Sequence, residues 1–153
     1  MKIDNTDRSI LNILQIDGRT SASYIADNLG ISIPTVTERI KKMQDTGVIQ
    51  GIHAVVDPKK IGLDVAALIT LISESSVHYN QITEAASSAA EVVQCLSTTG
   101  KGSHMLLVVT KNSESLEDLL REIQSWPGVT RTETQVVLSS YKLVQSISDL
   151  TKI

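Results

Sequence analysis

SIPTVTERIKKM, residues 32–43, is the segment that decides the fold of the first third of the chain. Ser32 can cap a helix that carries Pro34 in its first turn, where a missing N–H costs nothing. Apolar side chains then recur at helical spacing and form a single stripe, at Val36, Ile40 and Met43. The pattern predicts a helix that buries one side and leaves the other side in solvent.

The outer side of this predicted helix has the composition of a DNA-contacting surface. It is small near the N-terminus and basic further on, with Pro34, Thr35, Thr37, Glu38, Lys41 and Lys42. The first amides of the helix, beside Ser32, would lie near phosphate, because a helix N-terminus offers free N–H groups. Taken one at a time, these residues also fit a bland interpretation, in which the serines only cap helices, the lysines are only solvated and Arg39 pairs with an acidic neighbour.

Two shorter helices are predicted before this segment. Asp4 can cap the first, which ends at Asp17-Gly18, and Ser21 can cap the second, which ends at Gly30. Two short helices joined by a Gly-containing turn, the second exposing such a side, form the helix-turn-helix arrangement. Residues 48–58 then predict a small hairpin, or wing, with Gly51 near its tip.

These elements predict a site for double-stranded DNA. We expect Thr35, Thr37 and Glu38 at base edges and the basic residues at phosphates, with Gln50 reaching from the wing. The full predicted set is Arg19, Ser21, Ser32, Pro34, Thr35, Thr37, Glu38, Arg39, Lys41, Lys42 and Gln50.

The rest of the chain alternates strand and helix patterns. Strands are predicted at 66–73, 92–98, 104–110 and 129–138, with helices at 79–90 and 114–126. This β-α-β-β-α-β order predicts a ferredoxin-like domain, so the fold class is α+β. The apolar strands predict that the sheet face opposite the helices is buried against a second subunit. We place the DNA-binding domain at 1–60 and the ferredoxin-like domain at 61–153.

Composition limits the class of protein. The 153 residues are 41% hydrophobic, which allows real cores, and the single cysteine excludes an internal disulfide. The charged start is unlike a signal peptide, and the longest apolar stretch, 65–72, is too short to span a bilayer. We therefore expect a cytoplasmic protein without a membrane partner. The net charge of −3 hides a difference, since residues 1–60 carry eight Lys and Arg against seven Asp and Glu, and residues 61–153 six against ten.

The order and spacing of several short motifs resemble the Lrp/AsnC family of feast/famine regulators. The motifs are GRTS (18–21), IA (25–26), LGIS (29–32), PTV (34–36), ERIKKM (38–43), GVI (47–49), DPKKIG (57–62), TTG (98–100) and VTRTETQVVL (129–138). The resemblance implies a winged helix-turn-helix followed by a ferredoxin-like effector domain. It also implies homodimers that often assemble into octamers, and an amino acid as effector rather than a bound cofactor.

The resemblance places the effector site at the loop before the predicted strand 104–110 and on the last strand. Its implied residues are Thr98, Thr99, Gly100, Lys101, Gly102, Ser103, Thr134 and Gln135. Many members of the family have an aromatic residue and then an acid after this glycine, whereas this chain has Gly102-Ser103. The departure removes a partner for an amino group, so the identity of the effector stays open. The two glycines also fit a plain hairpin turn.

No catalytic or metal site is predicted. His53, His78 and His104 lack ligand spacing and lie apart from Cys95, so we interpret them as ordinary surface or interface histidines. The acidic pair Glu117 and Asp118 fits a solvated helix face, and Trp126 fits a core position. The sequence therefore predicts an effector-responsive transcription regulator. An enzyme built on the ferredoxin-like domain is a distant second hypothesis, and the alternative that keeps the DNA site and drops the effector pocket is an effector-independent architectural DNA-binding protein.

Overall fold

The computed structural model describes residues 2–141. The chain separates into two compact units, one that begins at the N-terminus and extends to Val55, and one at Val56–Ser140. Each unit has its own cluster of buried apolar side chains.

The first unit contains three helices whose ends follow the predicted caps. They are α1 (Asn5–Ile16), α2 (Ala22–Leu29) and α3 (Ile33–Asp45). Asp4, Ser21 and Ser32 each accept a hydrogen bond from a backbone N–H of the first turn that they cap. Gly30 ends α2 with a φ of 66°, a left-handed conformation that costs glycine little.

The three helices meet around a small apolar core. Its buried members, none more than 2% exposed, come from all three helices and are Ile10, Ile25, Ala26, Val36 and Met43. The stripe predicted on α3 thus faces inward, with Ile40 packed against the same cluster. This packing fixes which side of α3 faces solvent.

The structure corrects one prediction for this unit, the hairpin at residues 48–58. The described residues of this segment form no paired strands, and the chain passes without regular structure into a one-turn 3₁₀ helix at Pro58–Ile61. Its apolar side chains are largely exposed, with Val55 at 78%. Ile49 packs against the helical core and Ile52 lies beside Gly18, but the residues around them are exposed, and a two-stranded hairpin with so little surface to pack on is at best marginally stable.

The second unit is the predicted ferredoxin-like domain. Its elements are β1 (Val65–Ser73), α4 (Tyr79–Ser88), β2 (Val92–Ser97), β3 (His104–Thr110), α5 (Ser113–Gln124) and β4 (Val129–Val137), with a short 3₁₀ turn at Ser76–His78. The sheet order is β2-β3-β1-β4 and every pair is antiparallel. The predicted α+β class and the predicted β-α-β-β-α-β order along the chain are confirmed.

The two faces of this sheet differ. Alternate residues of β1 and β3 are buried in a core with α4 and α5, among them Ile69, Leu71, Leu106 and Val108. Trp126 is only 7% exposed in this core, as predicted. The opposite face, which we call the open face, is also largely apolar but only half-buried, at Leu68, Ile72, Met105, Leu107 and Val109.

Candidate functional site

The N-terminus of α3 offers hydrogen-bond donors and small polar side chains. The Ser32 hydroxyl accepts a hydrogen bond from the Thr35 amide at 3.3 Å and lies 2.8 Å from the Thr35 hydroxyl. Pro34, in the first turn, is exposed. A phosphate at this end of the helix would meet free amides and the positive end of the helix dipole.

Further along α3, the exposed side is polar and cationic. Thr37, Glu38, Lys41 and Lys42 are all exposed, and no ion pair of the described residues involves either lysine. The Thr37 hydroxyl donates to the carbonyl of Ile33 at 3.0 Å, which leaves its methyl group as the outward contact. The structure therefore brings these four predicted residues together on one surface.

Arg39 differs from the expectation that it neutralises phosphate. Its Nη1 donates to Asp4 Oδ2 and to Asp7 Oδ1, both at 2.7 Å, and its side chain is 31% exposed. Asp7 is 2% exposed, so the guanidinium compensates a carboxylate that is nearly out of water. Arg39 thus ties α3 to the start of α1, where two carboxylates already compensate its charge.

The same contacts set the protonation of the pair. The Asp4 carboxylate accepts the Asp7 amide at 2.8 Å, and this bond together with the Arg39 guanidinium lowers the pKa of Asp4. The hydrogen bonds that Arg39 donates to Asp4 and Asp7 in turn raise the pKa of Arg39. Asp4 and Arg39 therefore stay ionised together.

The remaining predicted DNA-contact residues lie outside α3. Arg19 follows α1 in an exposed turn, where its backbone N–H donates to the Asp17 carboxylate at 2.8 Å. Ser21 caps α2 by accepting the Tyr24 amide at 3.2 Å. Gln50 is exposed in the segment where the wing was expected.

In the second unit, the predicted effector loop lies against the end of β1. The loop closes through the Thr98 N–H, which donates to the Ser103 carbonyl at 3.0 Å, and the Ser103 N–H donates to the Leu71 carbonyl at 2.9 Å. A Cβ on Gly102 would lie 2.3 Å from Thr70 Cγ2 and 2.8 Å from the Leu71 carbonyl oxygen. Any other residue at position 102 would force either the loop or β1 to move, so only a glycine allows this close approach.

The loop also needs a glycine at its tip for a conformational reason. Gly100 has a φ of 107°, which L side chains rarely adopt. Thr99 and Lys101, on either side, are exposed, while Thr98 is half-buried. The turn therefore presents two side chains outward and holds the third against the protein.

The structure corrects the interpretation of His104. This residue is 2% exposed, its Nδ1 lies 2.9 Å from the Ser103 hydroxyl, and its ring meets that of Tyr79 edge to face. Burial lowers its pKa. Ser103 is itself 8% exposed, and its hydroxyl also lies 3.4 Å from the Leu71 carbonyl. The pair is part of the domain core and no ordinary surface feature.

The two predicted residues of β4 fall on opposite faces of the sheet. Thr134 pairs with Ile69, whose side chain is in the core, whereas Gln135 pairs with Leu68 of the open face. Since side chains alternate along a strand, a single ligand on the open face contacts Gln135 and not Thr134.

Two charged residues near the loop were missed by the sequence reasoning. Glu133 pairs with Thr70, on the open face, and its Oε1 lies 3.8 Å from Lys101 Nζ. Arg131, on the same face of β4, donates to the same carboxylate. Strand alternation could have predicted that Glu133 lies on the same face as the predicted site residue Gln135. The contact between Glu133 and Lys101 joins two distant parts of the chain, so no local sequence pattern predicts it.

Residues 2–141 contain no group of three or more His, Cys, Asp or Glu side chains that could hold a metal ion. Within the same range, none of the helices has the length and apolar character needed to cross a membrane.

Comparisons with known proteins agree with this arrangement. A family model described as a winged helix-turn-helix DNA-binding domain matches residues 3–50, and one described as the Lrp/AsnC ligand binding domain matches residues 64–147. The HTH-type transcriptional regulator FL11 of Pyrococcus horikoshii is 34% identical over 92% of either chain.

Solved structures have the same fold over nearly the whole chain. Escherichia coli AsnC is 32% identical, covers 97% of this chain and 99% of its own, and superposes with a TM-score of 0.84. A transcriptional regulator from Neisseria meningitidis, solved in complex with L-methionine, is 22% identical over 95% of this chain and 96% of its own, with a TM-score of 0.85. At that identity it supports the fold alone. Two domain models and full-length relatives point the same way: this chain belongs to the Lrp/AsnC family, as a transcriptional regulator that joins a helix-turn-helix DNA-binding domain to a ligand-binding domain.

Proposed function

We propose that this regulator recognises specific DNA sequences by placing α3 in the major groove, and that its assembly or DNA binding responds to an amino acid. The observation that carries the proposal is the outward side of α3, where the exposed Thr37 and Glu38 and two uncompensated lysines follow a capped helix N-terminus. The packing of the inner stripe holds this side toward solvent.

Each residue of the proposed DNA interface has a role set by its chemistry. Lys41, Lys42 and Arg19 neutralise phosphates, and the amides beside Ser32 bind one more. Thr35, Thr37 and Glu38 approach base edges, where methyl and carboxylate groups distinguish base pairs. Ser21 and Pro34 shape the turn and the helix entry, and Gln50 reaches the duplex from the segment after α3.

We propose that the open face of the sheet joins two subunits. Its half-buried side chains form an apolar surface of the kind that soluble proteins seldom leave in water. A two-fold dimer presents two α3 helices to half-sites about 34 Å apart, or a multiple of that distance. Further assembly into octamers follows the family, and it would add contacts along one duplex.

The effector proposal rests on the loop 98–103 and on the ligand-binding domain that the family model describes. The neighbour from Neisseria meningitidis, solved with L-methionine, makes that amino acid the first to test here. We propose that the ligand is bound and not turned over, because the Ser103 hydroxyl beside His104 is buried and closed to a substrate. A regulator of genomic DNA acts where that DNA lies, which we take to be the cytoplasm.

The test is a gel-shift titration with the full chain and the region upstream of its own gene. A specific complex that survives excess unrelated DNA, and that weakens steeply with salt, is expected. Equal affinity for unrelated DNA would contradict sequence-specific regulation.

The effector part is tested by thermal unfolding with each of the twenty amino acids. A ligand at about 100 times its dissociation constant should stabilise the folded form by about 2.7 kcal/mol. A specific complex without any such response would favour the alternative, an effector-independent architectural protein.

A further inference from the structure

Glu38 lies at the centre of the outward side of α3. It is two residues from Val36 and two from Ile40 of the inward stripe, which is about half a helical turn in either direction. Its side chain is exposed. The side of α3 that is proposed to enter the DNA groove therefore carries a carboxylate at its middle, although a polyanion favours a cation there.

In the described part of the chain, no cation pairs with this carboxylate. Arg39, the next residue, directs its Nη1 to Asp4 and Asp7, both at 2.7 Å. Lys42 lies four residues further on, at the spacing that allows a Glu–Lys pair on a helix, but no ion pair or hydrogen bond of the described residues involves the Glu38 side chain. The carboxylate is thus available to a partner from outside the chain.

On DNA of arbitrary sequence this carboxylate is unfavourable. Lys41 and Lys42 bring two positive charges to the outward side of α3, and Glu38 offsets one of them. An unpaired carboxylate near a polyanion costs Coulomb energy, and the groove also removes part of its water. An ionised carboxylate only accepts hydrogen bonds, so this loss is recovered only where the DNA presents a donor to it. Glu38 therefore penalises most sequences.

The donors of the major groove narrow the choice of base. Guanine presents only acceptors there, N7 and O6, and thymine presents an acceptor and a methyl group. Adenine has the N6 amino group, but its N7 acceptor lies beside that group and repels the second carboxylate oxygen. Cytosine presents the N4 amino group alone. A carboxylate therefore prefers cytosine, and guanine at the same position is the least favourable base.

We propose that Glu38 is a specificity-determining residue of this regulator and selects a cytosine in each half-site by accepting a hydrogen bond from its N4 amino group. The inference rests on the proposed docking of α3 in the major groove, and it names one base that this helix reads. Glu38 lowers the affinity for DNA in general and widens the difference between the correct site and all other sites. The neighbouring lysines supply affinity without discrimination, since phosphates are the same in every sequence.

The test is the selection of binding sites from a duplex library with a randomised central region, by the full chain and by Glu38→Gln. Glutamine keeps the size of the side chain and removes its charge, and its carboxamide pairs with N6 and N7 of adenine. The wild type is expected to enrich sites with a cytosine at one position of each half-site, and Glu38→Gln is expected to enrich sites with an adenine there. Asp45→Asn is the matched control, because it removes the same charge from an exposed residue at the end of α3. The control should enrich the same sites as the wild type.

Fluorescence anisotropy with the enriched duplex gives the magnitude of the effect. Replacement of the selected cytosine by guanine should weaken wild-type binding roughly 10- to 100-fold, and the binding of Glu38→Gln by at most about 3-fold. Glu38→Gln should also bind unrelated DNA more tightly than the wild type, because an anion has left the interface. Since the Glu38 side chain has no hydrogen bond or ion pair among the described residues, the variant should unfold at the wild-type temperature.

The outcomes that contradict the inference differ in what they mean for the proposed function. The wild type could enrich a defined site that tolerates guanine in place of cytosine within about 2-fold, or Glu38→Gln could enrich the same bases as the wild type at every position. In either case Glu38 does not read cytosine, and sequence-specific recognition by the regulator stands. If the wild type enriches no sequence, the proposed function and this inference both fail.

Discussion

Lys41 and Lys42 provide the sharpest test of how this regulator holds DNA. Both ammonium groups are exposed on the outer side of α3, and no ion pair of the described residues engages them. In a dimer the double substitution Lys41→Ala, Lys42→Ala removes four cations from the proposed interface. Since neither side chain makes a hydrogen bond or ion pair in the described part of the chain, the unfolding temperature should stay close to that of the wild type.

The expected magnitude follows from counterion release. Each phosphate contact contributes about 0.9 to the slope of log affinity against log salt, so four lost contacts lower the slope by about 3.6. Over a fourfold rise in salt, from about 50 to about 200 mM, that difference amounts to about two orders of magnitude. The variant should thus bind DNA far more weakly than the wild type at low salt. The ratio of the two affinities should shrink by about 100-fold across this range of salt concentration.

The assay is fluorescence anisotropy with an operator duplex at four or more salt concentrations. Lys111→Ala, Arg121→Ala is the matched control, because it removes the same charge from exposed positions of the second unit. The control should keep the wild-type slope. A slope for Lys41→Ala, Lys42→Ala that equals the wild-type slope would show that α3 does not contact phosphate through these residues.

Three further predictions concern the contacts that hold the two sites in place. Arg39→Met should lower the unfolding temperature by several degrees, because it leaves the buried Asp7 carboxylate without its cation. The same variant should keep the wild-type slope of log DNA affinity against log salt. Thermal unfolding checks the first result and a salt titration of DNA binding the second, and a reduced slope would contradict the internal role of Arg39. Gly102→Ala should cost about 1–3 kcal/mol in denaturant unfolding, since its Cβ would strike Thr70, and a neutral effect would refute the close seat of the loop. Burial lowers the pKa of His104 below its usual 6.5, so the unfolded chain binds a proton that the folded chain excludes. The free energy of unfolding should therefore fall as the pH drops below about 6.5. His104→Gln should remove this part of the pH dependence, and a variant with the same dependence of unfolding free energy on pH as the wild type would contradict the prediction.

The sequence predicted the parts of the fold that depend on neighbouring residues. Capping by Asp4, Ser21 and Ser32 is a contact within one helical turn, and the inward stripe of α3 follows from its own periodicity. The order of strands and helices was enough to predict the sheet, because few topologies are compatible with a β-α-β-β-α-β chain.

The contacts and placements that the sequence did not predict have two physical origins. Arg39 pairs with carboxylates 32 and 35 residues away in the sequence, and Lys101 of the loop pairs with Glu133 of β4. No local sequence pattern predicts either contact. The faces on which His104 and Thr134 lie could have been predicted, because they follow from the alternation of side chains along a strand. His104 shares a face with Leu106, and stricter use of that period would have predicted its burial.

The charge arrangement of α3 makes assembly part of the DNA-binding mechanism. Arg39 is neutralised by Asp4 and Asp7, and the outward cations of this helix reduce to Lys41 and Lys42. So few phosphate contacts give a single subunit weak and easily screened binding. The dimer that we propose, joined through the open face, doubles them and makes the second contact intramolecular, which raises affinity without any new type of contact. The proposed assembly thus explains how a chain with a net charge of −3 binds a polyanion, because two-fold symmetry would repeat one small cationic surface along the duplex.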